Sequence, residues 1–285
     1  IMLMKTKLSK LDAYLQLSKA ELMRIARADF DVKGALFSDP LSNPKVAKNA
    51  KVENVLTFPL HLASSTLSGF NTCAFASPGC AEACLMSAGN PVYIPAKYAA
   101  RIAKTRMFFL NRSLFMAILI KEAGAAQKKA IKLGMALALR LNATSDILWE
   151  KYKLDHLGMR FSCADLLHMA AKTAELYDYT KAPGRVLPEF YTVTFSLSEE
   201  NDIAAAVELR RGRNVAAVFD TKRNRALPTH YTINGFTARV IDGDLSDYRP
   251  GDEQGVIVGL RAKGDAIGDT SGFVRPANPI LYVAA

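Results

Sequence analysis

Residues 136–146 read Ala136-Leu137-Ala138-Leu139-Arg140-Leu141-Asn142-Ala143-Thr144-Ser145-Asp146. An apolar run of strand length stops abruptly at polar, turn-forming residues. A continuous apolar run, not an alternating one, fits a strand buried on both faces of a parallel sheet. The same rhythm recurs along the chain. Apolar strands are expected at 55–60, 175–179, 190–195, 214–219, 238–241 and 255–260, with helices across 94–133, 164–174 and 198–210. Met107, Leu110, Leu114 and Ile118 recur at helical spacing and should face a core, with Gly124 interrupting the long helix. Ser198 is placed to cap the last helix. This alternation predicts an α/β fold: an irregular or partial (β/α) barrel, TIM-like. The barrel should be irregular because the 221–237 connection is too short and turn-rich for a helix. A doubly wound open sheet is the alternative.

Upstream of the first strand, Ser9 can cap a helix to about residue 17 and Ser18 a second to about residue 30. Leu22, Ile25 and Ala26 give the second helix an apolar face. Gly34, Pro40, Asn43 and Pro44 then break the pattern. The chain therefore divides into an N-terminal helical extension and linker, 1–50, and a metal-binding domain, 51–285. With 285 residues, half of them hydrophobic, there is ample material for a large core. Charged residues make up 22% and mean hydropathy is near zero, which excludes a disordered chain. No apolar run reaches the roughly 18 residues of a membrane span. Residues 1–30 lack the apolar core of a signal peptide, so a cytoplasmic location is expected.

The chemistry concentrates in Cys73-Ala-Phe-Ala-Ser-Pro-Gly-Cys80-Ala-Glu-Ala-Cys84, three of the four cysteines of the chain. Converging thiolates bind iron–sulfur clusters or zinc. No histidine or fourth cysteine stands nearby to close a zinc tetrahedron, so a 4Fe-4S cluster held by Cys73, Cys80 and Cys84 is favoured, with zinc as the alternative. Cys163 reads as a core thiol or a distant fourth ligand. In a β/α barrel, ligand-binding groups follow the C-terminal ends of the strands. Asn142, Ser145, Asp146, Lys181, Ser196, Asp242, Asp244 and Lys263 stand there and should bind a polar or anionic small molecule. Net charge is +10, and residues 97–140 carry ten basic residues against Glu122 alone. That region offers a nucleic-acid surface, or a solvated helix face.

A thiolate cluster on the first β/α loop resembles the layout of radical S-adenosylmethionine enzymes. The cysteine spacing differs, six and three intervening residues where three and two are usual. Asn142-Ala-Thr-Ser-Asp146 stands where a Gly-Gly-Glu stretch is expected. A closer resemblance rests on Asn71-Thr-Cys73 through Leu85, Leu141 to Asp146, Tyr179-Thr-Lys181, Thr194-Phe-Ser196, Val240-Ile-Asp-Gly-Asp244 and Gly255 to Leu260 with Lys263-Gly264. In this order the motifs resemble the gene-product-eighty-eight family of bacteriophage proteins. The resemblance implies a phage origin, hence the host cytoplasm. It names no reaction and carries over the three cysteines and these polar motifs as candidates. An iron–sulfur redox or radical-type enzyme is the function expected; a zinc-stabilised nucleic-acid-binding protein or a cluster-bearing electron carrier are the alternatives.

Overall fold

A computed structural model of the chain describes residues 8–41, 44–84 and 94–277. The capping serines act as expected. Ser9 accepts the Asp12 N–H and opens α1 (Lys10–Leu15), and Ser18 forms a reciprocal box with Glu21 at the start of α2 (Lys19–Phe30). The stretch read as a linker holds a further helix, α3 (Pro44–Val52). Its Asn49 is buried: Nδ2 donates to Thr57 Oγ1 at 3.0 Å, and Oδ1 accepts the Asp247 N–H at 3.0 Å. Strand β1 (Val55–Pro59) and the short helix α4 (Pro78–Glu82) follow.

The long helical region breaks at Asn111, not at Gly124. Helix α5 (Ile94–Leu110) ends there, and the Asn111 side chain accepts the Leu114 N–H to open α6 (Arg112–Leu133). The break shifts the helical register. Met107, Leu114 and Ile118 are buried as expected, but Leu110 is 63% exposed. Gly124 sits within α6, close to α7; a side chain there would approach the Ala170 carbonyl at 3.6 Å. Gly134, at φ +64°, ends α6 and turns the chain into β2 (Ala136–Arg140).

A hairpin, β3 (Lys153–His156) with β4 (Met159–Ser162), then leads into α7 (Cys163–Ala170) and β5 (Ala174–Thr180). After β6 (Tyr191–Ser196) comes α8 (Asp202–Arg210). Ser198 does not cap it. Asn201 holds the N-cap position, and its side chain instead accepts the Ser198 N–H at 2.7 Å. Gly212, at φ +77°, turns the chain into β7 (Val215–Phe219). The 221–237 connection contains β8 (His230–Ile233), which pairs with β9 (Phe236–Asp242) across an Asn234-Gly235 turn with both residues at positive φ. Strands β10 (Ile257–Arg261) and β11 (Val274–Arg275) complete the described chain.

Strands β1, β2, β5, β6, β7 and β10 lie side by side in chain order, all parallel. Beyond β10 come parallel β9 and antiparallel β8, while β11 runs along β7. The fold is thus mixed α/β around a mostly parallel sheet. Among the described residues no ladder joins β1 to β8. On one face of the sheet, Leu56, Leu137, Leu139 and Leu176 pack with α6 and α7. That same core includes Leu11, Leu22, Ala26 and Leu36 from the N-terminal segment. On the other face Val55, Ala138 and Tyr177 pack with Tyr248. No helix among the described residues is long and apolar enough to cross a membrane.

Candidate functional site

The C-terminal ends of β2, β5, β6, β7 and β10 open on one cavity of about 240 Å³, and the loops after β1, β9 and β10 supply the rest of its wall. Cys73, Cys80 and Cys84 all stand on that wall, half-buried and free of disulfides. Cys73 accepts the Ser65 N–H at 3.4 Å. Burial pushes its thiol up, and the nearby Asp146 and Cys84 add to the shift. Helix α4 begins at Ser77, whose hydroxyl accepts the Cys80 N–H. It ends before Cys84, so Cys80 and Cys84 reach the cavity from a helix and from the turn beyond it. Leu85 to Gly89, the rest of the loop read with the cysteines, lies outside the described residues.

Glu199, on the loop after β6, fixes this helix. Its carboxylate accepts the Gly79 N–H at 2.6 Å and the Ser77 hydroxyl at 2.8 Å. The approach is so close that a Cβ on Gly79 would lie 2.8 Å from Glu199 Oε1 and would collide with Ser271 Oγ. Cys163 lies elsewhere. It is fully buried in the main core, where desolvation pushes its thiol up to about 12.

Of the polar strand-end residues, Asn142, Ser145, Asp146, Lys181, Ser196, Asp244 and Lys263 line the cavity, and Asp242 does not. Their side chains differ in what they are free to do. Asn142 is committed to its own loop: Oδ1 accepts from Ser145 Oγ, Ile147 N and Trp149 Nε1, and Nδ2 donates to Ile147 O and Asp178. Beneath it, Asp178 is fully buried and also accepts the Asn142 N–H and the Tyr191 hydroxyl. Burial, opposed by these donors, brings its carboxyl up to about 7. Asp244 accepts from Lys263 Nζ at 2.5 Å and from Arg261, which Asp242 also holds at 2.9 Å. Against the penalty of burial, Lys263 and Arg261 keep the Asp244 carboxyl below its ordinary value.

Asp146 is placed by its backbone, which donates to Thr72 O at 2.9 Å beside Cys73. Its Oδ2 accepts the Lys181 N–H at 2.7 Å. Its Oδ1 is buried without a partner. Burial raises this carboxyl, outweighing the Lys181 N–H, the Thr180 hydroxyl and the Lys181 charge.

Several residues at the site escaped the sequence reading. Arg140 lines the cavity, ion-paired to Asp247 and set over the Tyr179 ring with 5.0 Å to its centroid. A single charge at the end of an apolar strand was its signal. Arg261 stands at the matching end of β10. Glu199 did stand among the polar strand-end residues expected at the mouth, but its hold on α4 left no trace in the sequence. Outside the cavity lining, His61 lies within reach of the Arg101, Arg140 and Lys104 charges; burial and then these cations drive its imidazole down to about 3.

The donor type suits an iron–sulfur cluster, since reduced, half-buried thiols share one wall with Arg101 close to Cys84. The arrangement is not that of closed metal ligands: among the described residues no three His, Cys, Asp or Glu side chains are gathered tightly enough to hold an ion. The basic region 97–140 is largely engaged within the molecule. Lys104 donates to Leu36 O, Arg106 to Ser68 O and Lys121 to Leu15 O. Arg112 stacks on Phe108 and Tyr152, and Lys129 pairs with Asp39.

A family model described as Gene product 88 matches residues 35–277, most of the chain. No curated protein and no solved structure matches it.

Proposed function

We propose, from the premise that the chain belongs to the gene product 88 family, that it is a phage iron–sulfur protein of the host cytoplasm. In this reading Cys73, Cys80 and Cys84 hold the cluster at the mouth of a partial β/α barrel. The adjoining cavity receives a polar small molecule. One observation carries the proposal: three free thiols from a single loop face the same cavity as the polar groups at the ends of β2, β5, β6, β9 and β10. The partial-barrel reading is supported by six parallel strands lying in chain order, since a doubly wound sheet reverses its order at a switch point. A bound cluster would supply one-electron chemistry, so the reaction class is redox or radical-type.

The chain's own residues set the site's shape. Glu199 and Ser77 anchor α4 and with it Cys80. Asp178 and Asn142 shape the loop after β2, and Arg140 with Asp247 forms a charged pair in the cavity wall. Because the basic residues of 97–140 are mostly bonded internally, the small-molecule reading is preferred to the nucleic-acid one. The cluster ligands must draw together on binding, since they are not gathered around one point in the described residues.

The test is anaerobic purification with iron, sulfide and zinc analysis. Brown protein absorbing near roughly 400 nm is expected. Cys80→Ala should abolish that absorption, and Cys163→Ala should leave it. Stoichiometric zinc without iron would replace the cluster with a zinc site. If S-adenosylmethionine leaves the spectrum of the reduced cluster unmoved, the radical branch falls and the redox branch remains.

A further inference from the structure

The charges around the cavity are mostly paired with one another. Arg140 is held by Asp247, and Arg261 and Lys263 are held by Asp244. Two groups stand outside this pairing. The Lys181 ammonium lies over the Phe273 ring, 5.6 Å from its centroid, and forms no ion pair with a described carboxylate. The second is Oδ1 of Asp146, buried and without a hydrogen-bond partner. Both residues line the cavity, and they are joined through the Lys181 N–H on Asp146 Oδ2. Their side chains form no ion pair with each other, so an orphaned carboxylate oxygen and an ammonium without a carboxylate partner among the described residues stand on neighbouring parts of the wall.

We infer that the cavity binds a small zwitterion of the α-amino-acid type, its carboxylate on Lys181 and its ammonium on Asp146. A simple anion would answer Lys181 and leave a buried carboxylate oxygen orphaned. A simple cation would answer Asp146 but face the Lys181 ammonium unrelieved. Leaving the buried Asp146 oxygen unmatched is costly, and a ligand carboxylate gives the half-buried Lys181 ammonium the ion pair it otherwise lacks among the described residues. Leu197, Val218, Leu260 and Phe273 supply apolar wall for a side chain. The volume of about 240 Å³ is below the ~300–1,000 Å³ of drug-sized sites and suits a molecule of this size. The inference rests on the reading of this cavity as the substrate site, and is independent of which metal the cysteines hold.

The experiment measures thermal shift and calorimetric affinity for L-leucine, L-methionine and L-phenylalanine. Each is compared with its deamino acid and its decarboxylated amine. At least one amino acid should bind about tenfold or more tightly than both of its analogues, as expected for loss of a charge-assisted contact. Asp146→Asn should erase the preference over the deamino acid, and Lys181→Met the preference over the amine. The wild-type comparison needs no variant to fold. No shift with any of the three amino acids, or equal binding of the deamino acids, overturns the inference. Iron measured on the same samples keeps the two questions apart: zwitterion binding by iron-free protein sinks the cluster and leaves this inference standing, while brown protein that ignores all three amino acids does the reverse.

Discussion

Asp178 shows how one buried carboxylate can organise a loop from below. It is fully buried, and its three donors come from the Asn142 backbone, the Asn142 side chain and Tyr191. Its carboxyl is pushed up to about 7 in the folded protein, against an ordinary value near 3.8. The folded state therefore holds the proton more tightly than the unfolded chain. The stabilisation linked to that proton is complete below about pH 4 and fades as pH rises through about 7. Asp178→Asn should flatten the fall in stability between pH 4 and 7, measured as urea midpoints across that range. A variant whose midpoints follow the wild-type slope would place the titrating group elsewhere. The location of Asn142 at a strand tip was legible in the sequence. Its engagement by Trp149 and Asp178 was not, because residue type says nothing about which partners a buried amide will meet.

Elements with strong local signals were read correctly, as at the serine caps of α1 and α2 and the apolar runs of β1, β2 and β7. Those that depend on partners were missed. Helix α3 begins at a proline inside a stretch rich in helix breakers, and it is held by Asn49 reaching Thr57 and Asp247. Strands β3 and β4 have four residues each, too short for periodicity to register. The Asn234-Gly235 pair is a hairpin signal in the sequence, but the 221–237 stretch read as a turn-rich connection without it. The break at Asn111 yields a direct test of register. Met107→Ala should lower stability by about 2–5 kcal/mol, whereas Leu110→Ala should change it by less than about 0.5 kcal/mol. Equal losses in denaturant melts would mean a helix continuous through Asn111. Helix α4 has a second, functional readout. Glu199→Ala removes the acceptor of the Gly79 N–H and the Ser77 hydroxyl, so Cys80 should alkylate several-fold faster at unchanged global stability. An unchanged rate would show that α4 is held by something other than Glu199.

The molecule as a whole is tied together across its sequence. Glu122, buried on α6, accepts the Leu36 N–H at 3.0 Å and the Phe37 N–H at 2.9 Å, and pairs with Lys19 at 3.0 Å. Cutting the chain to begin at residue 51 would strip these donors from a buried carboxylate and uncover the core that Leu11, Leu22 and Leu36 seal. Such a fragment should lose its cooperative melt by circular dichroism; a fragment melting like the full chain would show the N-terminal segment to be separable. The order of parallel strands was legible from the β/α rhythm, since neighbours in sequence tend to be neighbours in space. The Arg140–Asp247 pair was not, as it spans over a hundred positions and leaves no spacing to read. The winding also has a practical outcome. The turns at Gly134 and Gly212 enter β2 and β7 at the rim opposite the cavity, and no neighbouring atom lies within 4 Å of the space a side chain would take at either glycine. Both glycines are needed for their positive φ, so a fluorophore or surface tether placed on the residues beside them would leave the mouth unobstructed, offering a handle for immobilising the protein or watching its ligands arrive.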